Sequence, residues 1–69
     1  MITAYLVATI NYKTNLLVGV GIYSEPKPSS EGPFLHAIID RYEDTTFHKA
    51  KLRLKQILDR HYPTLKLTD

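Results

Sequence analysis

Phe34-Leu35-His36-Ala37-Ile38-Ile39-Asp40-Arg41-Tyr42-Glu43 reads two ways, and the architecture turns on the choice. As a strand, it sets Leu35, Ala37 and Ile39 on one face and Phe34, His36, Ile38, Asp40 and Tyr42 on the other. As a helix, it aligns Phe34, Ile38 and Tyr42 in one row and Leu35 and Ile39 in the next, with His36, Asp40 and Glu43 opposite. Ser30 would then cap that helix, and Pro33 would fit its first turn. Two strands alone make a marginal sheet, and Glu43-Asp44 already marks the start of another helix. The strand reading is therefore favoured.

The flanking segments are plainer. Ile2 to Tyr12 alternates: Ile2, Ala4, Leu6, Ala8, Ile10 and Tyr12 share one face, and Thr3, Tyr5, Val7, Thr9 and Asn11 the other. After the polar break Lys13-Thr14-Asn15, a second strand puts Leu16, Val18, Val20 and Ile22 on one face and Leu17, Gly19, Gly21 and Tyr23 on the other, which predicts a hairpin over 2–24. Glu25 to Pro33 holds three prolines, two serines and a glycine and reads as a loop. From Thr45 to Tyr62, Phe47, Ala50, Leu54, Ile57, Leu58 and His61 recur at helical spacing. Asp44 is placed to cap that helix, Arg60 and His61 suit its last turn, and Pro63 blocks continuation. The expectation is one α+β domain over 1–69: a small antiparallel β-meander (β-β-β-α), made of hairpin 2–24, loop 25–33, strand 34–43 and helix 45–62, with the C-terminal amphipathic helix packed on one face. The alternative is β-β-α-α.

Composition narrows the function classes. The 69 residues, 43% hydrophobic and 23% charged, match a globular domain. With no cysteine there is neither a disulfide framework nor a thiolate zinc site. The longest apolar run, Leu16 to Tyr23, falls far short of the ~20 residues that span a bilayer. The start lacks a basic n-region, so the chain reads as cytoplasmic with no membrane partner. Charge is unevenly spread. Residues 1–44 carry three cations against five acids, net −2, and residues 45–62 carry five cations against Asp59, net +4.

One helix covers one sheet face. The other is expected to show Tyr5, Val7, Leu17 and Tyr23 together with apolar residues of 34–43, more apolar surface than a monomer usually leaves wet. This points to a non-enzymatic protein-interaction module, expected to be a homodimer or to bind a different protein, of the kind met among small regulatory or inhibitory accessory proteins, viral ones included. Tyr5, Val7, Leu17 and Tyr23 would form the partner-binding face.

A second reading rests on the helix. Lys49, Arg53 and Arg60 make a basic stripe with Gln56 between them, and Leu52 sits amid the polar surface beside it. A row of cations can ride a phosphate backbone, so a nucleic-acid-binding protein is the alternative. A third reading, a small enzyme, pairs His36 with Asp40 for acid–base work. No nucleophile turn or oxyanion hole accompanies them. Gly19-Val20-Gly21 lacks both the third glycine and the helix of a dinucleotide fingerprint. No residue is assigned to a metal or a cofactor.

Overall fold

The computed structural model describes residues 1–68. Four strands, β1 (Ile2–Asn11), β2 (Leu16–Tyr23), β3 (Ser30–Glu31) and β4 (Phe34–Asp44), precede one helix, α1 (Phe47–His61). The strands form one antiparallel sheet in the order β2-β1-β4-β3, with α1 on one face. The α+β class with a single C-terminal helix is what forms, and the contested segment is a strand. Ser30 and Glu31 add the short β3 inside the segment that the sequence assigns to loop. They pair with Leu35 and Phe34 across a turn in which Gly32 takes φ +58, a left-handed value that a side chain would resist.

The β1–β2 hairpin closes through Tyr12–Asn15. The Asn11 side-chain oxygen accepts hydrogen bonds from the backbone of Lys13 and Thr14, at 3.0 and 3.3 Å, and Asn15 adopts φ 61. Both features are ones that asparagine supplies more cheaply than most residues.

Strand order explains what the rest of the chain must do. β2 and β4 flank β1 and both run antiparallel to it, so they run the same way. Tyr23 ends β2 opposite Tyr5, whereas Phe34 begins β4 opposite Asn11. Residues 24–33 therefore cross over β1, and they do so on the face away from α1. There the Lys27 ammonium lies 4.4 Å from the Tyr23 ring centre, and the Glu31 carboxylate lies 3.6 Å from His36. Tyr23 and His36 are the cross-strand partners of Tyr5 and Thr9, which puts both on this loop side.

Two bulges break the period-two pattern. Opposite Thr9 and Ile10 the partners in β2 are Gly19 and Leu17, so Val18 is the extra residue. Opposite Leu6 and Val7 the partners in β4 are Asp40 and Ile38, so Ile39 is the extra residue. A bulge moves every later side chain to the other face. Val18, which alternation places in the core, is 53% exposed as a result.

The core lies between the sheet and α1. Ala4, Leu6, Ala8, Val20 and Ile22 meet Ala50, Leu54 and Leu58, with Ile39, Phe47, Ile57, Tyr62, Leu65 and Leu67 packed around them. α1 begins two residues later than the sequence reading has it. Thr46, not Asp44, is the N-cap: its side chain accepts from the Lys49 backbone at 3.2 Å, while Asp44 closes β4. Arg60 and His61 occupy the last turn, where cations suit the dipole. α1 lies over β1 and β4, and the tail covers the β2 side through Leu65 and Leu67. Thr68 then caps the free edge of β2. Its backbone N–H donates to the Val20 carbonyl at 3.0 Å, and its hydroxyl oxygen accepts from Val20 N–H at 3.1 Å. Gly19 makes room for this, since a Cβ there would collide with the Thr68 hydroxyl.

Leu54→Ala is expected to cost about 3 kcal/mol in urea unfolding, because the fully buried side chain leaves a cavity. Gly19→Ala should cost about 1 kcal/mol and speed hydrogen exchange at Val20. In a chain shortened to end at Leu67 the same substitution should cost almost nothing, since the group it displaces is gone.

Candidate functional site

The proposed partner-binding face does not assemble. Tyr5 and Tyr23 are opposite each other on the loop side, each half-buried. Val7 lies between them and the crossing segment and is 0% exposed, so the protomer already seals the position that a partner would have to reach. Leu17 is on the other face, opposite Ile10, because of the Val18 bulge. The apolar side chains of this face lie beneath residues 24–33, which are its cover.

The acid–base pair does not assemble either. His36 pairs across β1 with Thr9 and Asp40 pairs with Leu6, neighbours on opposite faces of β1. The Ile39 bulge separates them. His36 is instead a pin between sheet and crossing segment. Its side chain is 5% exposed, and its Nδ1 lies 2.9 Å from the Thr9 hydroxyl. Its Nε2 is buried and finds no hydrogen bond among the described residues, with the Glu31 carboxylate 3.6 Å away. A cavity of about 230 Å3 beside it is lined by Thr9, Gly19, Tyr23, Lys27 and Thr68. Asp40 accepts from the backbone N–H of Arg41 at 2.8 Å. Among the described residues no group of three or more His, Cys, Asp or Glu side chains converges on a point where a metal ion could be held.

The basic helix residues do gather. Lys49, Arg53 and Arg60 lie along the flank of α1 that faces β4. Arg53 reaches Gln56 through a 3.0 Å hydrogen bond, and its guanidinium carbon is 6.0 Å from the Tyr42 ring centre. Arg53, Gln56, Ile57, Arg60 and His61 line a groove of about 270 Å3. Leu52, 45% exposed, stands on the solvent side of this stripe.

Beside that flank runs a feature absent from the sequence reading, the outer edge of β4. β3 pairs only with Phe34 and Leu35, and the Ser29 carbonyl accepts from His36 N–H at 2.9 Å. From residue 37 to residue 44, no described strand pairs with that edge. Ile38 on the loop side is 48% exposed and Tyr42 on the helix side 36%. The strand is acidic, with Asp40, Glu43 and Asp44 against Arg41. The two edges of the sheet differ in what lies beside them: Thr68 bonds β2 at Val20, while from residue 37 to residue 44 β4 has a row of cations beside it. No signal local to residues 34–43 reveals this, because an edge is a property of strand order.

Compared with family models, with curated proteins and with solved structures, the chain finds no match. Among the described residues no helix is long and apolar enough to cross a membrane.

If His36 holds the crossing segment to the sheet, Thr9→Val leaves its Nδ1 buried and unpaired. Such a change should cost about 1–3 kcal/mol in chemical denaturation. Line broadening in NMR spectra should spread through residues 24–33 rather than through α1.

Proposed function

We propose that this chain is a non-enzymatic interaction module that binds an extended, acidic segment of a partner protein by adding it as a strand to β4. The observation that carries the reading is the juxtaposition of an unpaired strand edge over residues 37–44 with the Lys49, Arg53 and Arg60 flank of α1. Strand addition draws its affinity from main-chain hydrogen bonds and its specificity from side chains at alternate positions. Here the helix-side positions of an added strand would face cations and the Tyr42 ring, which favours carboxylates. The loop-side positions would face Ile38 and Arg41.

Natural sheets protect their edges with charges and bulges, and β4 has both. Two features set it apart from a merely protected edge. Ile38 and Tyr42 leave apolar surface on both of its faces, and Lys49, Arg53 and Arg60 sit on the helix, with Arg41 the one lysine or arginine on the strand. The separation of His36 from Asp40 removes the pair on which the enzymatic alternative stood. The cysteine-free composition suits work in a reducing cytoplasm. The nucleic-acid reading uses the same cations but gives the open strand edge no role, and for that reason it ranks second.

The test is an NMR titration of the isotope-labelled protein with three probes: an alternating Val/Asp strand peptide, its Val/Lys twin, and a short single-stranded RNA. The acidic peptide should shift the amides of residues 37–44 and the side chains of Arg53 and Arg60, and the basic twin should not. RNA binding that weakens steeply above about 50 mM salt, with the 37–44 amides unmoved, would transfer the site to a nucleic acid. Silence with all three probes, at a protein concentration low enough to keep the chain monomeric, rejects the module.

A further inference from the structure

We infer that the strand received by the β4 edge is β4 of a second copy, joined antiparallel about a two-fold axis that passes beside Tyr42 and runs normal to the sheet. This rests on the strand-addition reading of the same edge and names its occupant. β4 is itself an extended acidic segment with an unpaired edge, and its own α1 supplies the basic flank. The protomer therefore carries both halves of the complementarity, as an isologous interface requires.

Charge selects the register. A two-fold normal to the sheet keeps helix side with helix side, so some residue of β4 must lie opposite its own copy. Centring on Asp40, Arg41 or Glu43 sets like charges directly opposite, which is unfavourable. Centring on Tyr42 pairs the two tyrosines and sets Arg41 opposite Glu43 of the second copy, and Glu43 opposite its Arg41. Two like-charge contacts remain and offset each other: the basic stripes of the two helices meet on the helix side, and so do Asp40 and Asp44. The acids lie beneath the stripe of Lys49, Arg53 and Arg60 from both helices, where cations outnumber them.

Helix position fits the same axis. α1 lies over β1 and β4, so across a β4–β4 seam the two helices would run about 10 Å apart, two strand spacings, which is the distance at which helices pack. The half-buried Ile57 lies on the flanks brought together. Arg53, already over Tyr42, would lie with its symmetry mate on a platform of two rings. The product is a continuous sheet with two antiparallel helices on one face. Its outermost edges would be the two β2 strands that Thr68 caps.

The experiment is sedimentation equilibrium of the full chain with Arg41→Glu, Glu43→Arg and the double variant. Both side chains are exposed and, among the described residues, make no hydrogen bond through their charged groups, so folding, checked by circular dichroism, should be unchanged. The wild type should dimerise. Each single reversal creates two like-charge pairs per dimer and should raise Kd about tenfold or more, and the double reversal should bring it back to within about threefold. Amides of residues 40–44 should exchange more slowly as wild-type concentration rises, which supplies a readout free of substitutions. A wild type that stays monomeric at about 1 mM, or a dimer indifferent to both single reversals, overturns the self-pairing. If the monomer's 37–44 amides still shift with the Val/Asp peptide, the parent reading stands and only the second copy is wrong. If they do not, both fall.

Discussion

β1 has no free side. It is hydrogen-bonded to β2 along one edge and β4 along the other, roofed by α1 on one face and crossed by residues 24–33 on the other. Leu6 and Val7, adjacent in sequence and pointing in opposite directions, are both fully buried. In a chain of 69 residues few positions can be shielded so completely, and the remaining elements are arranged to achieve it. The crossing segment has to be long enough to pass from the end of β2 to the start of β4. It is tied to the sheet by Lys27 on the Tyr23 ring and by the Ser29 carbonyl, which accepts from His36 N–H, and Gly32 makes the turn into β4. α1 covers β1 and β4 but leaves the β2 side to the tail, which is why Leu65, Leu67 and Thr68 are pinned to the body.

Placing the middle strand at the centre of protection leaves the margins unequal. The tail reaches β2 because α1 ends near it. On β4, β3 and Ser29 reach only as far as His36, and beyond it no described strand follows, since the chain leaves β4 at Asp44 and turns at once into α1 through the Thr46 cap. The exposed length of β4 is thus a by-product of a tight strand-to-helix connection, and the same connection lays the basic flank of the helix along it. The binding proposed for this edge would draw on topology and charge.

Much of this was legible in the residues. The hairpin, the polar turn at Lys13-Thr14-Asn15, the strand over 34–43 and the apolar stripe Ala50, Leu54, Leu58 follow from alternation, turn chemistry and helical spacing. The candidate site was not, for two physical reasons. Alternation carries phase only until a bulge intervenes, and the extra residues Val18 and Ile39 have ordinary β-branched side chains that look like any other strand position. Leu17 and Asp40 were assigned to the wrong faces on that account. Strand order is the second reason. Residues 24–33 read correctly as a loop, but only the pairing of β4 with β1 shows that they lie over Val7, and it alone shows which margin of the sheet stays unpaired.

The bulge at Ile39 also makes the number of residues in β4 carry information that their identities do not. Exchange Ile39 for valine, and the geometry survives. Excise it, and Ile38 and Asp40 become successive residues of an unbulged strand opposite Val7 and Leu6, so that every later side chain keeps the face it has now. A residue added between Asp40 and Tyr42 would instead turn Tyr42 toward the crossing segment, so the strand should tolerate loss of its extra residue better than gain of another.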